Sequence, residues 1–197
     1  MTKQFNAAYF QKWYRDPRHK VRSRSALRRK AAMVLGIAEY ILGRNVRNAI
    51  DIGCGEGEWS VVLRQLRPGI RYEGIDSSTY AIRRFGRTRN LRLGSLSDLN
   101  GNENDGTWDL VICSDVLHYV DAAPFRQTLR ALAEMTRGVA FLDVMTAEDD
   151  PSGDVEGFYR RSASWYRKEF SAAGFRHCGM QTYVGPARAE ILSSLER

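Results

Sequence analysis

The chain of 197 residues has the length of one ordinary domain, and its 43% hydrophobic and 27% charged residues are typical of a folded globular protein. No apolar run approaches the roughly 20 residues of a membrane-spanning helix, and the first residues lack the apolar core of a signal peptide. The three cysteines are widely spaced, which disfavours a disulfide framework or a zinc site and favours a reduced, cytoplasmic setting.

The net charge of +7 is concentrated at the N-terminal end of the chain. Residues 1–47 contain twelve Lys and Arg against two acidic residues, whereas residues 48–197 have a small acidic excess. A basic segment of this kind can bind nucleic acid, an acidic membrane surface or an anionic substrate. It can equally be the solvated face of a helix, and both interpretations stay open at this point.

The N-terminal part, residues 1–45, is predicted to be a basic, aromatic and helical lid, followed by a main domain over 46–197. Aromatic residues recur at near-helical spacing over 5–14, and Asp16-Pro17 ends that segment. A long helix is predicted over 25–42, where apolar residues form a buried stripe and Gly43 supplies a stop.

Strand and helix patterns alternate in the main domain. We predict strands at 47–52, 71–75, 91–93, 109–113 and 138–144, with one or two more near 176–184, and helices at 58–66, 78–87, 122–136 and 162–173. The unbroken apolar runs at 110–112 and 139–142 are typical of buried parallel strands. The alternation predicts an α/β fold with a doubly wound, mostly parallel sheet covered by helices on both faces.

A glycine-rich turn follows the first strand of the main domain. Residues 48–60 read N-A-I-D-I-G-C-G-E-G-E-W-S, with Asp51 ahead of the glycines. Glycine lets the backbone approach a ligand at positive φ, and the following helix presents unpaired N–H groups, so the turn predicts a nucleotide-like ligand. Its third glycine comes one position early for a G-x-G-x-x-G fingerprint, which disfavours a nicotinamide oxidoreductase. The second strand ends at Asp76, whose carboxylate can accept ribose hydroxyls.

Ordered motifs across residues 48–178 resemble the class I S-adenosylmethionine (SAM)-dependent methyltransferases. Residues 51–57 resemble the family motif D/E-x-G-x-G-x-G, and Asp76 matches the ribose-binding acid. Residues 94–96 occupy the adenine-contact position, residues 108–119 resemble the fourth-strand segment F-D-L-V-x-x-x-x-V-L-H-H, and residues 165–175 resemble the late helix ending in A-G-F. The resemblance implies a Rossmann-like, seven-stranded sheet, S-adenosyl-L-methionine as cofactor and S-adenosyl-L-homocysteine as product.

The resemblance also implies roles for individual residues. Gly53, Gly55 and Gly57 would let the backbone lie against the methionine part of the cofactor, while Asp51 would act on its amino group. Asp76 would hold the ribose hydroxyls. The remaining candidate cofactor-binding residues are Cys54 at the turn, Ser77, Ser95 and Leu96 near the adenine, Cys113 near the methionine ammonium, and Tyr14 or Arg22 at the carboxylate.

The acceptor is expected above the carboxyl ends of the strands, under residues 5–24 and 145–166. His118 and Asp115 are candidate catalytic bases, which are needed only if the acceptor atom is protonated. Alternatively His118 packs or shields the cofactor, and Asp115 caps a helix. The candidate substrate-binding residues, whose aromatic members can equally be core, are Tyr9, Trp13, Tyr119, Tyr159, Arg160 and Trp165.

The predicted function is methyl transfer, without a metal, to an O or N atom of a small metabolite, anionic or aromatic. Residues 113–116 do not match the N/D-P-P-Y/F motif of amine-methylating nucleic-acid enzymes, and the sequence suggests no separate RNA-binding domain. The alternatives are an RNA-directed methyltransferase that uses the basic N-terminal segment, a binding module that has kept only the cofactor fold, and a nicotinamide oxidoreductase.

Overall fold

The computed structural model describes residues 5–19, 23–98, 107–150 and 153–194. Within these residues seven strands form one sheet in the order β3-β2-β1-β4-β5-β7-β6. The strands are β1 (Asn48–Ile52), β2 (Arg71–Asp76), β3 (Leu91–Leu93), β4 (Trp108–Ser114), β5 (Thr136–Asp143), β6 (Arg176–His177) and β7 (Thr182–Val184). Strands β1 to β5 are parallel, whereas β7 is antiparallel to both β5 and β6. The predicted fold class is confirmed.

The helices lie between the strands as the sequence predicts. They are α1 (Ala7–Phe10, continued by a π-helical turn over Gln11–Arg15), α2 (Arg24–Leu42), α3 (Glu58–Leu66), α4 (Thr79–Arg89), α5 (Ala122–Met135) and α6 (Ala163–Ala172). The Ser23 hydroxyl accepts the Ala26 N–H at the start of α2, and Gly43 ends that helix in the left-handed conformation. None of the described helices has the length and apolar composition of a membrane span.

The two faces of the sheet carry separate hydrophobic clusters. Alternate residues of β4 point to opposite faces, so that Leu110 joins the cluster beneath α2 and α3 while Val111 joins the cluster beneath α5 and α6. Helix α2 is part of this core, because Leu27, Ala31 and Val34 are fully buried on its sheet-facing side. The N-terminal residues that are free to cover the site are therefore those before α2.

The strand order reverses between β1 and β4. The chain passes from β1 outward to β3 and then crosses back to place β4 on the other side of β1. In open α/β sheets this switch point leaves a crevice at the carboxyl ends of the strands, where ligands bind. At the opposite end, Asp109 is held by both terminal nitrogens of the Arg44 guanidinium, at 2.7 and 2.8 Å, and by the Arg47 N–H.

Candidate functional site

The turn after β1 is shaped by glycines with positive φ. Gly53 and Gly55 have φ of +72° and +54°, which side chains other than glycine rarely tolerate. A Cβ atom at Gly53 would collide with the Val116 side chain, and one at Gly55 would collide with the Tyr14 hydroxyl. Both glycines therefore let neighbouring segments close directly onto the turn.

Asp76 connects this turn to the start of α4. Its carboxylate accepts the Gly55 N–H at 2.7 Å through one oxygen and the Ser78 N–H at 2.8 Å through the other. Burial raises the pKa of Asp76, and the two backbone hydrogen bonds only partly offset that rise. Each carboxylate oxygen has a second lone pair, which leaves two acceptor positions for ribose hydroxyls.

Asp51 lies at the other side of the turn and is almost completely buried. Its carboxylate accepts the Tyr72 hydroxyl at 2.8 Å, a contact made possible by the pairing of β1 with β2. Burial, with Asp51 as the next contribution, raises the pKa of the Tyr72 hydroxyl, which therefore stays a donor. This hydrogen bond orients the Asp51 carboxylate where it lines the cavity described next.

A cavity of about 800 Å³ lies at the carboxyl ends of the central strands, within the range of roughly 300–1,000 Å³ typical of small-ligand sites. The candidate cofactor residues that line it are Asp51, Gly53, Cys54, Gly55, Asp76, Ser77, Ser95, Leu96 and Tyr14. The candidate catalytic and substrate-binding residues that line it are Asp115, His118, Tyr9, Trp13 and Tyr119. The structure thus brings together most residues that were selected from separate motifs.

Two candidate cofactor residues lie away from the cavity. Gly57 starts α3, and a Cβ there would lie 2.7 Å from the Leu91 side chain, so this glycine permits close packing of α3 on β3. Cys113 is fully buried in β4, and burial raises the pKa of its thiol. Ser114 reaches the cavity in its place. Arg22 lies outside the described residues.

Three candidate substrate-binding residues also lie outside the cavity lining. Tyr159 is 43% exposed and its ring lies beneath the Arg161 guanidinium. Arg160 donates to the Ala147 carbonyl at 3.1 Å. Trp165 is half-buried and packs against the core beneath α6, with its ring centroid 4.8 Å from that of Phe125. None of these three residues borders the cavity, so the prediction that they wall the acceptor pocket does not match their placement.

The N-terminal segment covers the cofactor side of the cavity. The Ser78 hydroxyl donates to the Phe5 carbonyl, which ties the segment to the residue that caps α4. Phe10 is buried and stacks on Tyr80 with a centroid distance of 5.6 Å. Ion pairing of Arg15 with Glu56 fixes the end of the segment beside the glycine turn.

The two covering segments meet at Asp154. The Asp154 carboxylate is hydrogen-bonded to the Tyr9 hydroxyl, and its backbone carbonyl accepts the Tyr119 hydroxyl. Burial and the nearby Asp154 carboxylate raise the pKa of both tyrosines, so both hydroxyls stay protonated as donors. Tyr9 from α1, Tyr119 from the turn after β4 and Asp154 from the loop after β5 together form a roof over the cavity. We call Tyr9, Tyr119 and Asp154 the roof cluster.

The environment of His118 disfavours a role as base. Its ring is fully buried between Tyr119 and Phe158. Its Nδ1 accepts the Met145 N–H at 3.4 Å, which places the remaining ring proton of a neutral imidazole on Nε2. A nitrogen that carries a proton donates and cannot abstract one, so the geometry supports packing and shielding.

Asp115 has an unusual backbone for a residue other than glycine. Its φ is +61°, and its N–H donates to the Asp143 carbonyl at 2.9 Å. The Ser114 hydroxyl lies 3.3 Å from the Asp115 carboxylate and 3.2 Å from that of Asp143. The left-handed conformation turns the chain sharply at the end of β4 and places Asp115 in the cavity lining.

Sequence reasoning missed Lys30, Asp143 and Asp154. Lys30 extends from α2 to the cavity, and its ammonium nitrogen lies 2.5 Å from the Asp143 carboxylate at the end of β5. An acid at the carboxyl end of a central strand, the pattern that identified Asp76, was available as a signal for Asp143. Lys30 had only its position beside the buried stripe of α2, and Asp154 had no signal within a polar loop.

The fold and this site define a methyltransferase. The sequence matches a methyltransferase domain family over residues 11–186, and the chain belongs to that family. The predicted class I SAM-dependent methyltransferase is thereby confirmed, with SAM as the cofactor. No curated protein sequence matches the chain.

Solved structures share the fold at low sequence identity. A SAM-dependent methyltransferase from Archaeoglobus fulgidus has a TM-score of 0.61 at 17% identity, with 78% of this chain covering 70% of that chain. SAM-bound CalS10, an amino pentose methyltransferase from Micromonospora echinaspora, has a TM-score of 0.62 at 17% identity, and the match covers 85% of this chain and 92% of that chain. A putative O-methyltransferase from Nostoc punctiforme has a TM-score of 0.55 at 19% identity, and the match covers 82% of this chain but only 57% of that protein.

The residues of the cavity fit SAM. Gly53 and Gly55 line the cavity, and because glycine has no side chain they present backbone atoms to it. Asp76 has acceptor positions suited to ribose hydroxyls, and Ser95 and Leu96, the residues predicted to contact the adenine, line the same cavity. The negative charge of Asp51 suits the ammonium group of the methionine part.

Proposed function

We propose that the protein transfers a methyl group from SAM to an O or N atom of a small molecule that binds inside the cavity. When bound, SAM supplies a methyl group activated by its positively charged sulfur. The residues of the chain then have to hold the acceptor in line with that methyl group and exclude water, which can supply much of the rate. The single observation that carries this proposal is the roof over the cavity.

The roof favours a small acceptor because it leaves little room for a polymer. The roof cluster joins α1 to the loop after β5, and Phe5 and Trp13 also line the cavity from above. An RNA nucleotide would have to pass beneath these residues while remaining attached to its strand. A free metabolite needs only a transient opening.

The basic N-terminal region gives limited support to the RNA-directed alternative. Four of its basic residues are engaged by carboxylates within the protein: Arg15 with Glu56, Arg18 with Asp16, Lys30 with Asp143, and Arg44 with Asp109. Exposed charges that remain on α2 include Arg24, Arg28 and Arg29. Binding of RNA through such residues would weaken steeply with salt.

The names of similar structures are compatible with a small acceptor but do not decide the chemistry. CalS10 is described as an amino pentose methyltransferase, and the Nostoc protein as a putative O-methyltransferase. SpnF, described as a [4+2]-cyclase, has the same fold at a TM-score of 0.59 and 17% identity. Because one fold hosts different reactions, turnover has to be measured directly.

The test is methyl transfer from labelled SAM to a metabolite extract. Wild-type protein is expected to label a small organic product, and Asp76→Ala is expected to bind SAM at least tenfold more weakly in calorimetry. Glu73→Gln, which alters an acid on the same strand outside the cavity lining, serves as the matched control. Labelled RNA, retained by the protein at low salt and released at high salt, would favour the alternative. SAM binding without any labelled product would contradict the proposal.

A further inference from the structure

The charges that line the cavity are strongly unbalanced. Seven acidic residues line it: Asp51, Glu58, Asp76, Asp115, Asp121, Asp143 and Asp154. Lys30 is the one Lys or Arg among the described lining residues, and it is already paired with Asp143. Bound SAM brings a net single positive charge, so carboxylates remain in excess among the described lining residues.

The acids that the cofactor does not use lie toward the acceptor. Asp51 and Asp76 flank the glycine turn at β1 and β2 and belong to the cofactor side. Asp115 follows β4, and Asp154 lies in the roof cluster. Both carboxylates act on the same tyrosine, since Asp154 and Asp115 each contribute to the raised pKa of Tyr119 after burial itself. Tyr119 therefore lies within the field of two carboxylates.

The aromatic lining provides a second observation, independent of the acids. Rings of Tyr9, Tyr14 and Tyr119 border the same cavity, as does Trp13, whose ring already holds the Lys12 ammonium 4.4 Å from its centroid. The face of an aromatic ring attracts a cation, and the attraction strengthens when water is excluded. A cavity that combines aromatic rings with carboxylates and is covered by a roof has the chemistry of a site for organic cations.

We infer that the methyl acceptor is a small amine that enters the cavity as a cation, recognised by Asp115, Asp154 and the surrounding aromatic rings. This inference rests on the proposed function and names the substrate class of that site. It concerns recognition of the amino group and leaves the methylated atom as O or N. A negatively charged acceptor would instead meet an excess of like charge.

The placement of the arginines agrees with this inference. At the level of the sequence, Arg22, Arg160 and Arg161 could pair an acidic group of the acceptor, and Arg22 lies outside the described residues. Arg160 instead donates to a backbone carbonyl, and Arg161 stacks over the ring of Trp165. Neither of these two arginines is among the described residues that line the cavity, so neither offers its charge to an anionic acceptor there.

The experiment compares probes of similar shape and opposite charge. Tyramine and 4-hydroxyphenylacetate are titrated by calorimetry into the full chain saturated with S-adenosylhomocysteine, with neutral 4-ethylphenol as reference. We expect tyramine to bind at least tenfold more tightly than 4-hydroxyphenylacetate. Asp115→Asn and Asp154→Asn should each reduce that ratio at least threefold. Asp150→Asn, an exposed acid of the same loop outside the cavity lining, should leave it unchanged.

The two variants guard against a trivial loss of structure. Asp154→Asn alters the roof cluster, whereas Asp115→Asn keeps the contacts between the covering segments, so a common effect points to charge. An equal or stronger affinity for 4-hydroxyphenylacetate, no binding of tyramine to the loaded protein, or ratios unaffected by both substitutions would overturn the inference. Transfer of a methyl group to a carboxylate-bearing acceptor would overturn it while leaving the proposed function intact. Failure to bind S-adenosylhomocysteine would instead contradict the cofactor assignment.

Discussion

Replacement of Gly55 by alanine would test whether the glycine turn and the N-terminal segment are coupled. The left-handed backbone at φ +54° would cost a non-glycine residue about 1–2 kcal/mol. The new Cβ would also lie closer to the Tyr14 hydroxyl oxygen than Cβ atoms in folded proteins come to any non-bonded heavy atom. Because that hydroxyl is the end of a movable side chain, we assign the collision about 1 kcal/mol, the lower limit for overpacking. The free energy of unfolding should fall by about 2–3 kcal/mol in total.

Urea unfolding followed by circular dichroism measures this loss, and a double-mutant cycle divides it. Tyr14→Phe removes the hydroxyl that the Cβ would meet and leaves the backbone strain in place. In the Gly55→Ala background it should therefore restore about 1 kcal/mol, an interaction energy within the range of contacting residues. Gly36→Ala is the matched control, because Gly36 lies within α2 with no atom near its Cβ position. That substitution should stabilise by up to about 1 kcal/mol.

A strictly additive cycle would refute this reasoning. If Tyr14→Phe changed stability equally in both backgrounds, within about 0.5 kcal/mol, then Tyr14 does not lie against the turn in solution. A loss of stability in the Gly36→Ala control would show that an added methyl group destabilises this protein even without a positive φ or a close contact. The loss in Gly55→Ala would then not be evidence for either of those causes.

Two further predictions concern buried charge and buried thiols. Arg44→Ala should lower the free energy of unfolding by about 2 kcal/mol, less than the 3–5 kcal/mol of a fully buried pair because Arg44 is partly exposed. Burial opposes ionisation of Asp109, but Arg44 and a backbone N–H hold its pKa below the usual value. The ion pair therefore stabilises the protein above about pH 4, and its contribution is lost as the pH falls through the lowered pKa. Urea unfolding at pH 7 and below pH 4 should show a smaller effect of the substitution in acid. Alkylation of the folded protein with iodoacetamide at pH 8 should modify Cys178 before Cys54 or Cys113, because burial raises the pKa of the Cys54 and Cys113 thiols. Early modification of Cys54 or Cys113, detected by mass spectrometry, would contradict their burial.

The elements that the sequence predicts well are those defined by local pattern. The turn around Gly53 follows from glycine spacing, and the second strand ends at Asp76 because strand and acid are adjacent in the chain. Parallel strands bring their carboxyl ends to one edge, so motifs from β1, β2 and β4 converge without any knowledge of tertiary contacts. This is why most of the candidate cofactor residues line one cavity.

The elements that the sequence predicts poorly are those that depend on the path of the loops. Trp165 and Trp13 are both aromatic residues near helical spacing, yet Trp165 packs against the core and Trp13 borders the cavity. Pattern reveals that a ring will be buried but not against which surface. Asp154 is close to Tyr9 only because the loop after β5 folds back over the sheet, and nothing near Asp154 in the sequence records that contact.

The position of Phe5 affects how the protein should be prepared. Its ring borders the cavity, and its carbonyl accepts a hydrogen bond from the Ser78 hydroxyl. A polypeptide joined directly ahead of Phe5 would therefore lie close to the ligand site. A histidine-rich or basic purification tag there would add charge beside an acidic cavity and compete with the cations it is built to attract. Binding measurements on this protein should use a C-terminal tag or none.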